Sequence, residues 1–381
     1  MWFRTSLLFV SLSLWACSLE HKFTIENSNF TLDQASALPE NSDDESYLYN
    51  YNRLRLKDTI SSDGYYITAI GDIVNYLGSE FIQSPNFKYI ELLKPDIPFE
   101  TRTNFHTYDD KGVVYAKLHR LYAGYQEGKH STTLGIQKIT MGVGRIWTPT
   151  DLYNPKNSFA LEPDEVFGVL ALTYAYAPSS LSNMRAIVSM KEDKSYKYAL
   201  SYKAFLDFAD FAVNFIYSDT IEMYGYEAEG NFFDTGAEWR SEGGYYVSKS
   251  LDSEFYQAIL GFDYGFQNGI TWTVEGYYSS EVFTYEEILA NIKDDILNNL
   301  VQSHFYLGSS LSYSFDLAWS GSLMYIESFA DERSRFVVPS LTYTINDNHI
   351  VSLSAMLNDG SKQSEFGAFG SSYFFNWKWS Y

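Results

Sequence analysis

Gly142 to Pro155 (GVGRIWTPTDLYNP) holds the densest set of residue types able to position a charged ligand. Gly142 and Gly144 let a backbone turn sharply or approach another strand closely. Pro149 and Pro155 stiffen the segment. Arg145 offers a planar fork of donors that can pair with a carboxylate or hold a substrate anion. Asp151 can accept from nearby backbone N–H groups, as in an Asx-turn. Arg145, Trp147, Asp151 and Asn154 are therefore candidates for a stiff loop that folds into an interior space and narrows it. The competing reading is that these four side chains only lock the loop to a wall.

A second set of charged residues is spread along segments that alternate with period two. Arg185, Lys191, Lys197 and Lys203 share one face of neighbouring segments, and Asp263 and Glu275 sit on the polar face of two others. The chemistry expected of them is electrostatic selection along an aqueous interior. The four cations would form a basic ladder favouring anions, whereas an acid excess would favour cations. Catalytic patterns are missing. The six histidines are scattered, with no H-E-x-x-H spacing, and neither a G-x-S-x-G elbow nor a P-loop occurs. Asp109, Asp110 and His130 are the best enzymatic candidates, but no spacing singles them out. The acid pairs Asp43/Asp44, Asp109/Asp110 and Asp294/Asp295 could bind divalent cations that in turn bridge anionic surface groups, but such pairs are more often solvated loop charge. We expect no enzyme, no metal site and no cofactor.

The elements that must carry these residues are strands. In Gly269 to Ser280, Ile270, Trp272, Val274, Gly276 and Tyr278 make one face, and Thr271, Thr273, Glu275, Tyr277 and Ser279 the other. In Phe255 to Phe266, an aromatic and aliphatic face opposes Gln257, Gly261, Asp263 and Gly265. Charged and small polar residues on one face imply a wet interior rather than a dry core. Such segments recur near 47–58, 64–78, 112–126, 131–142, 168–178, 183–192, 195–205, 208–218, 221–229, 233–242, 255–266, 269–280, 303–315, 317–329, 334–345, 348–358 and 367–381. A further strand around Lys22 to Leu32 makes the number eighteen. The long connections 79–111, 143–167, 243–254, 281–302 and 359–366 share one parity, and the short joins the other. An up-and-down barrel sorts its loops in this way. One stretch breaks the pattern: Tyr285 to Val301 carries Ile288, Leu289, Ile292, Ile296, Leu297 and Leu300 at helical spacing. It predicts a helix at the mouth, or packed on the loop ends.

The remaining composition narrows the class. The 381 residues include 33 Tyr, 28 Phe and a single Cys, so no intramolecular disulfide can form. Beyond residue 17 no apolar run is long enough for a membrane helix. A formal charge of −21 argues against nucleic acid as a partner. Residues 1–18 read as an export signal, with Arg4 before the apolar run Ser6 to Ala16. Cleavage after Ser18 is one reading. The other is a lipoprotein signal, Leu14 to Cys17, in which Cys17 becomes the lipidated first residue. Residues 19–381 then form one domain.

Two stretches resemble a family. The terminal segment Ser371 to Tyr381 (SSYFFNWKWSY) places Tyr373, Phe375, Trp377, Trp379 and Tyr381 on one face. It resembles the C-terminal membrane-insertion strand of Gram-negative outer-membrane β-barrels, where such a face meets lipid and the interfacial girdle. The block Gly142 to Pro155 resembles the GxGRxW…PTDLxNP segment of porin-like outer-membrane proteins, with Thr148 and Tyr153 as departures. Arg53-Leu54-Arg55-Leu56 extends the resemblance thinly. The resemblance implies an all-β, transmembrane, antiparallel up-and-down barrel of 16–18 strands, eighteen favoured, with long extracellular loops. It implies an outer-membrane porin passing small hydrophilic solutes or ions. The alternative is a non-conducting surface barrel, an adhesin or a plugged scaffold. The partners implied are outer-membrane lipid and lipopolysaccharide, the barrel assembly machinery and the solutes themselves.

Overall fold

The computed structural model describes residues 19–36, 45–92, 94–156, 160–162, 165–232, 235–291 and 294–381. The export signal, the Cys17 lipidation site and the Asp43/Asp44 pair lie outside the described residues.

The strands are β1 (Glu20–Ala35), β2 (Ser46–Ser62), β3 (Tyr65–Leu77), β4 (His106–Tyr108), β5 (Gly112–Glu127), β6 (His130–Gln137), β7 (Val169–Ser179), β8 (Ser182–Met190), β9 (Tyr196–Leu206) and β10 (Ala209–Tyr217). They continue as β11 (Ile221–Asn231), β12 (Ala237–Ser248), β13 (Ser253–Gly265), β14 (Ile270–Ser279), β15 (Phe305–Ser314), β16 (Trp319–Ser328), β17 (Ser334–Asn346), β18 (His349–Gly360) and β19 (Ser372–Ser380). Each wall strand pairs antiparallel with the next, and β19 returns to β1 in the register Glu26↔Ser380 to Asp33↔Tyr373. Reciprocal bonds of 2.8 Å between the backbones of Ile25 and Tyr381 complete the seam. The result is a closed barrel of eighteen strands, with β4 a short extra strand on β5. Closure leaves no strand edge to satisfy.

Two-faced alternation fixes which way each strand faces. On β13, Phe255, Gln257 and Ile259 point inward and are buried, whereas Tyr256, Leu260 and Phe262 point outward. The outward face carries two aromatic belts. At the end with short turns, Tyr65 lies against Tyr125 and Trp319 against Tyr343, at 4.2 and 4.6 Å between ring centroids. At the other end, Tyr256 lies 5.6 Å from Tyr278. The terminal strand faces as its alternation requires: Tyr373, Phe375 and Trp377 are exposed outward, and Phe374 turns inward toward Phe30.

The short turns follow local rules. Asp63 and Gly64 have φ of 46° and 82°, the pair of left-handed residues that a tight hairpin needs. Asp109 and Asp110 take φ of 51° and 49° in the turn from β4 to β5. That pair forms the turn itself. All the long connections leave from the opposite end of the barrel, interspersed with tight turns such as 249–252. The expected long connection 243–254 is therefore corrected. Gly243, Gly244 and Tyr245 stay in the ladder, with Tyr224↔Tyr245 and Gly243↔Ala258, so β12 runs on to Ser248. Strand β6 ends at Gln137, short of the expected 142. The helix expected over 285–301 is also shorter. Here α1 (Ser79–Ile82) and α2 (Pro85–Leu92) precede α3, which covers only Tyr285–Ala290 behind a Thr284/Glu287 capping box. A 3₁₀ turn follows at Leu297–Asn299. Between the two, Asp295 meets two wall lysines.

Candidate functional site

Because β6 stops halfway, the chain leaves the wall at Gln137 and turns into the barrel. Residues 138–156 lie across the interior, with Ile139, Met141, Ile146 and Leu152 buried. A loop of this kind must satisfy its backbone N–H groups without a strand partner. Here three buried carboxylates do so. Glu242, inward on β12, accepts from Val143, Gly144 and Thr150 at 2.7, 3.0 and 2.7 Å. Glu275, inward on β14, accepts from Arg145, Ile146 and Trp147 at 2.9, 3.1 and 2.8 Å. Asp151 accepts within the loop from Met141, Tyr153 and Asn154, each at 2.9 Å. Burial pushes the Asp151 carboxyl up to about 6, and the three backbone donors oppose that rise. Glu227 on β11 adds a bond from Gly142 at 3.1 Å.

The wall is shaped to receive the loop. A Cβ on Gly308 would stand 2.5 Å from Ile146 Cδ1 and 2.9 Å from the Trp147 ring. Trp147 uses that space and packs on Tyr277 and Tyr306 at 5.5 and 6.0 Å. Asn154 donates to the Ile139 carbonyl at 2.8 Å. Pro149 O accepts from Tyr246 and from Asn299, which belongs to the connection after β14. That connection buries Ile296 and Leu300 against Ile139, Met141 and Leu152. The structure thus places Trp147, Asp151 and Asn154 in the loop anchor. Arg145 differs: its side chain is half exposed, with Nε 3.4 Å from Asp263.

The wall charges expected to line the interior all face inward, but most are paired. Asp295 takes Lys191 at 3.2 Å and Lys197 at 2.7 Å, and accepts from Ser218 and Thr220. Burial acts to raise the Asp295 carboxyl, but Lys197 and Lys191 outweigh it and hold it well below the usual carboxylate range. Lys197 also donates to Leu152 O at 2.8 Å. Lys203 meets Glu229 at 2.7 Å, and Arg185 donates to Thr140 O at 3.2 Å. Asp263 is shared between Arg145 and the buried Arg240, which also lies 3.5 Å from Glu275. The lysines are not an unbalanced ladder: Lys191 and Lys197 are buried fastenings for two loops.

A second cluster sits across the barrel. Arg53 and Arg55 on β2 point inward with Asp72 on β3 and Lys117 on β5. They grip the far end of the same loop. Glu165 lies 2.7 Å from Arg55 and 3.1 Å from Arg53, and Glu162 lies 3.0 Å from Arg53. Burial would raise the Glu165 carboxyl, but the Arg55 bond and the Arg53 and Arg55 charges bring it down to about 2. Arg120 donates to the carbonyls of Val166 and Phe167. Sequence reasoning gave these residues no role. The signal was there in Arg53 and Arg55, two cations on one strand face; their acidic partners lie over a hundred residues away.

Two polar cavities flank the loop. One, of about 370 Å³, is lined by Lys138, Arg145, Lys156, Lys203, Glu227 and Glu229. The other, of about 560 Å³, includes Glu26, Arg53, Glu162, Asn376 and Lys378. Both signs of charge face each cavity. Such an arrangement can strip and replace part of a small polar solute's hydration without chemistry.

No family model matches the chain, and no curated protein matches it. Solved structures do. The chain is similar to Acinetobacter baumannii OccAB2 (TM-score 0.62, 10% identity, 95% of this chain and 98% of that one). It is similar to Pseudomonas aeruginosa OccK5 (OpdH) at a TM-score of 0.61 and 10% identity, over 95% and 98% of the two chains. A third, P. aeruginosa OpdK solved with vanillate, gives a TM-score of 0.56 at 9% identity, over 96% and 98%. The likeness is one of fold. It spans the barrel from end to end, so the chain has the same closed β-barrel architecture as these proteins.

Proposed function

We propose that this protein is a channel of a Gram-negative outer membrane for the passive diffusion of small hydrophilic solutes, narrowed by the loop 138–168. The observation that carries this reading is the inward loop itself. It is suspended from wall carboxylates and arginines, with a charged cavity on either side. An outward surface of aromatic belts enclosing aliphatic residues suits a lipid bilayer, and closure satisfies every wall strand there. The solved structures of similar fold include an outer membrane protein, OpdK, and one of its structures holds vanillate. Small carboxylates of that kind are suitable first solutes to try. On this reading, residues 1–18 direct export, and the terminal strand, with Tyr373, Phe375, Trp377, Trp379 and Tyr381 outward, is what the barrel assembly machinery engages. The long connections face outside, among lipopolysaccharide. We assign no catalytic role.

A plugged, non-conducting barrel is the second reading. It is favoured by three apolar clusters that loops build inside the wall, such as Phe81 stacked on Tyr49 at 3.5 Å. Refolded protein lacking residues 1–18, placed in a planar lipid bilayer under a salt gradient, separates the two. Steady current with a defined reversal potential is the expected result. A heat-modifiable barrel that inserts without current means the plugged form. A water-soluble monomer that never enters lipid removes the membrane reading altogether.

A further inference from the structure

One stretch of the outward face breaks the rule that the rest obeys. On β9, the outward residues are Tyr198, Leu200 and Tyr202; on β13, Tyr256, Leu260 and Phe262. On β1 and β2 they include Asn27, Asn29, Thr31, Asn50 and Asn52, joined by Asn75 on β3. Register sets their direction. Asn29 is opposite Trp377 and Thr31 opposite Phe375, both exposed outward on β19, while Asn29 also faces Asn52 and Thr31 faces Asn50. The intervening Phe30, Tyr49 and Arg53 point inward and are buried against the loops.

The asparagines bond one another. Asn29 and Asn50 exchange bonds at 3.3 and 3.0 Å, and Asn27 and Asn52 exchange bonds at 3.2 and 3.3 Å. Asn50 further donates to Thr31 Oγ1 at 3.2 Å. An amide carries two N–H donors and an oxygen with two lone pairs. The two exchanges use one N–H of Asn29, in its pair with Asn50, and one of Asn52, in its pair with Asn27. Amides left partly unpaired against hydrocarbon cost free energy, and polar groups there mark contacts between protein surfaces. Around the seam the outward residues are Ile25, Leu48, Leu54, Leu56 and Ile73, with Asp33 following Thr31 on the same face of β1.

We propose that this seam on β1–β3 is an interface within the membrane plane with a second copy of this chain. The inference rests on the reading that the outward face meets lipid. The partner follows from the chemistry. The six seam residues carry no cation, so the seam does not select a phosphate headgroup. Amides are donors and acceptors at once, so the same surface on a second copy is complementary to it, as a self-paired contact requires.

The test uses the full mature barrel in native outer membranes. Asn29→Cys and Asn52→Cys are expected to give a crosslinked dimer with a short bifunctional thiol reagent, and Leu200→Cys, on a wall strand far from the seam, is not. Native mass spectrometry of the wild type in mild detergent is expected to give a multiple of the chain mass. The fourfold variant N27L/N29L/N50L/N52L is expected to give the monomer, with heat-modifiability and conductance per barrel retained. A wild type that stays monomeric and does not crosslink through position 29 or 52 overturns the proposal. So does a wild type found with lipopolysaccharide or an unrelated protein on the seam, or an oligomer that survives the fourfold change. Should the fourfold variant fail to fold, the single-cysteine crosslinks still decide. Failure of the barrel to enter lipid is scored by heat-modifiability before crosslinking, and so is told apart from failure of the interface.

Discussion

At the scale of the residue, the interior is governed by carboxylates that hold backbone. Glu275 receives three consecutive N–H groups of the loop from a fully buried position. Replacing it with Ala orphans those donors, each worth about 1–3 kcal/mol when left buried and unpaired. We expect Glu275→Ala to lower the unfolding midpoint and to give larger, noisier single-channel currents; an unchanged current and midpoint would show that the loop is held otherwise. The pH dependence has two opposed parts. Glu165 has a folded value of about 2 against an ordinary 4.5. Its stabilisation is present above about 4.5 and is lost as the pH falls toward 2. Asp151 is the reverse, at about 6 against 3.8, so it destabilises progressively as the pH rises through that window. Melting curves of the wild type, Glu165→Gln and Asp151→Asn should therefore diverge in opposite senses. Parallel curves would remove both assignments. Lys191 and Lys197 share Asp295, and Asp295→Asn leaves Lys197 without its carboxylate and Lys191 with only Asp219, 3.5 Å away. The reversal potential under a salt gradient should shift toward anion selectivity.

At the scale of the element, the decisive features are a strand that ends early and a wall with space where the loop lands. β6 has only eight residues, which frees the chain to enter the barrel. Gly308 leaves room for Ile146 and Trp147, and Gly142 adopts φ 86° with the Glu242 oxygens where a Cβ would be, at 2.6 Å. Gly142→Ala therefore meets both a steric and a conformational penalty, about 1–3 kcal/mol for the backbone alone. Gly308→Val is expected to lift the Trp147 ring off Tyr277. A loss of tryptophan quenching, with the barrel still heat-modifiable, is the readout. Strand direction was legible from alternation: Asp263, Glu275, Arg185, Lys197 and Lys203 all face inward as the period of two requires. Strand ends were less legible. Gly243-Gly244 looks like a loop, but a ladder with neighbours on both sides overrides that local preference.

At the scale of the whole molecule, closure is what makes the fold one cooperative object. β19 bonds to β1 through eight register pairs. Deleting residues 372–381 would leave two open edges in lipid, and we expect no heat-modifiable species from that truncation; recovery of a folded barrel would mean that closure is dispensable. The sequence by itself determined the class of the molecule. Period-two alternation, the sorted connections, the aromatic terminal strand and the strand count are local or nearly local properties, written in consecutive residues. It also marked Gly142 to Pro155 as special, because two glycines, two prolines, an Arg and an Asp in one loop are legible without a fold. What the loop rests on was decided only in three dimensions. Glu242, Glu275, Arg53 and Arg55 lie about a hundred residues from the groups they hold. No spacing in a chain encodes such pairs, because a barrel's register brings distant strands to the same height. The same reason explains the lysines, which looked like an open ladder until Asp295 was placed between them. It explains the asparagine seam too, since four amides on two strands become one surface only when β1 and β2 pair.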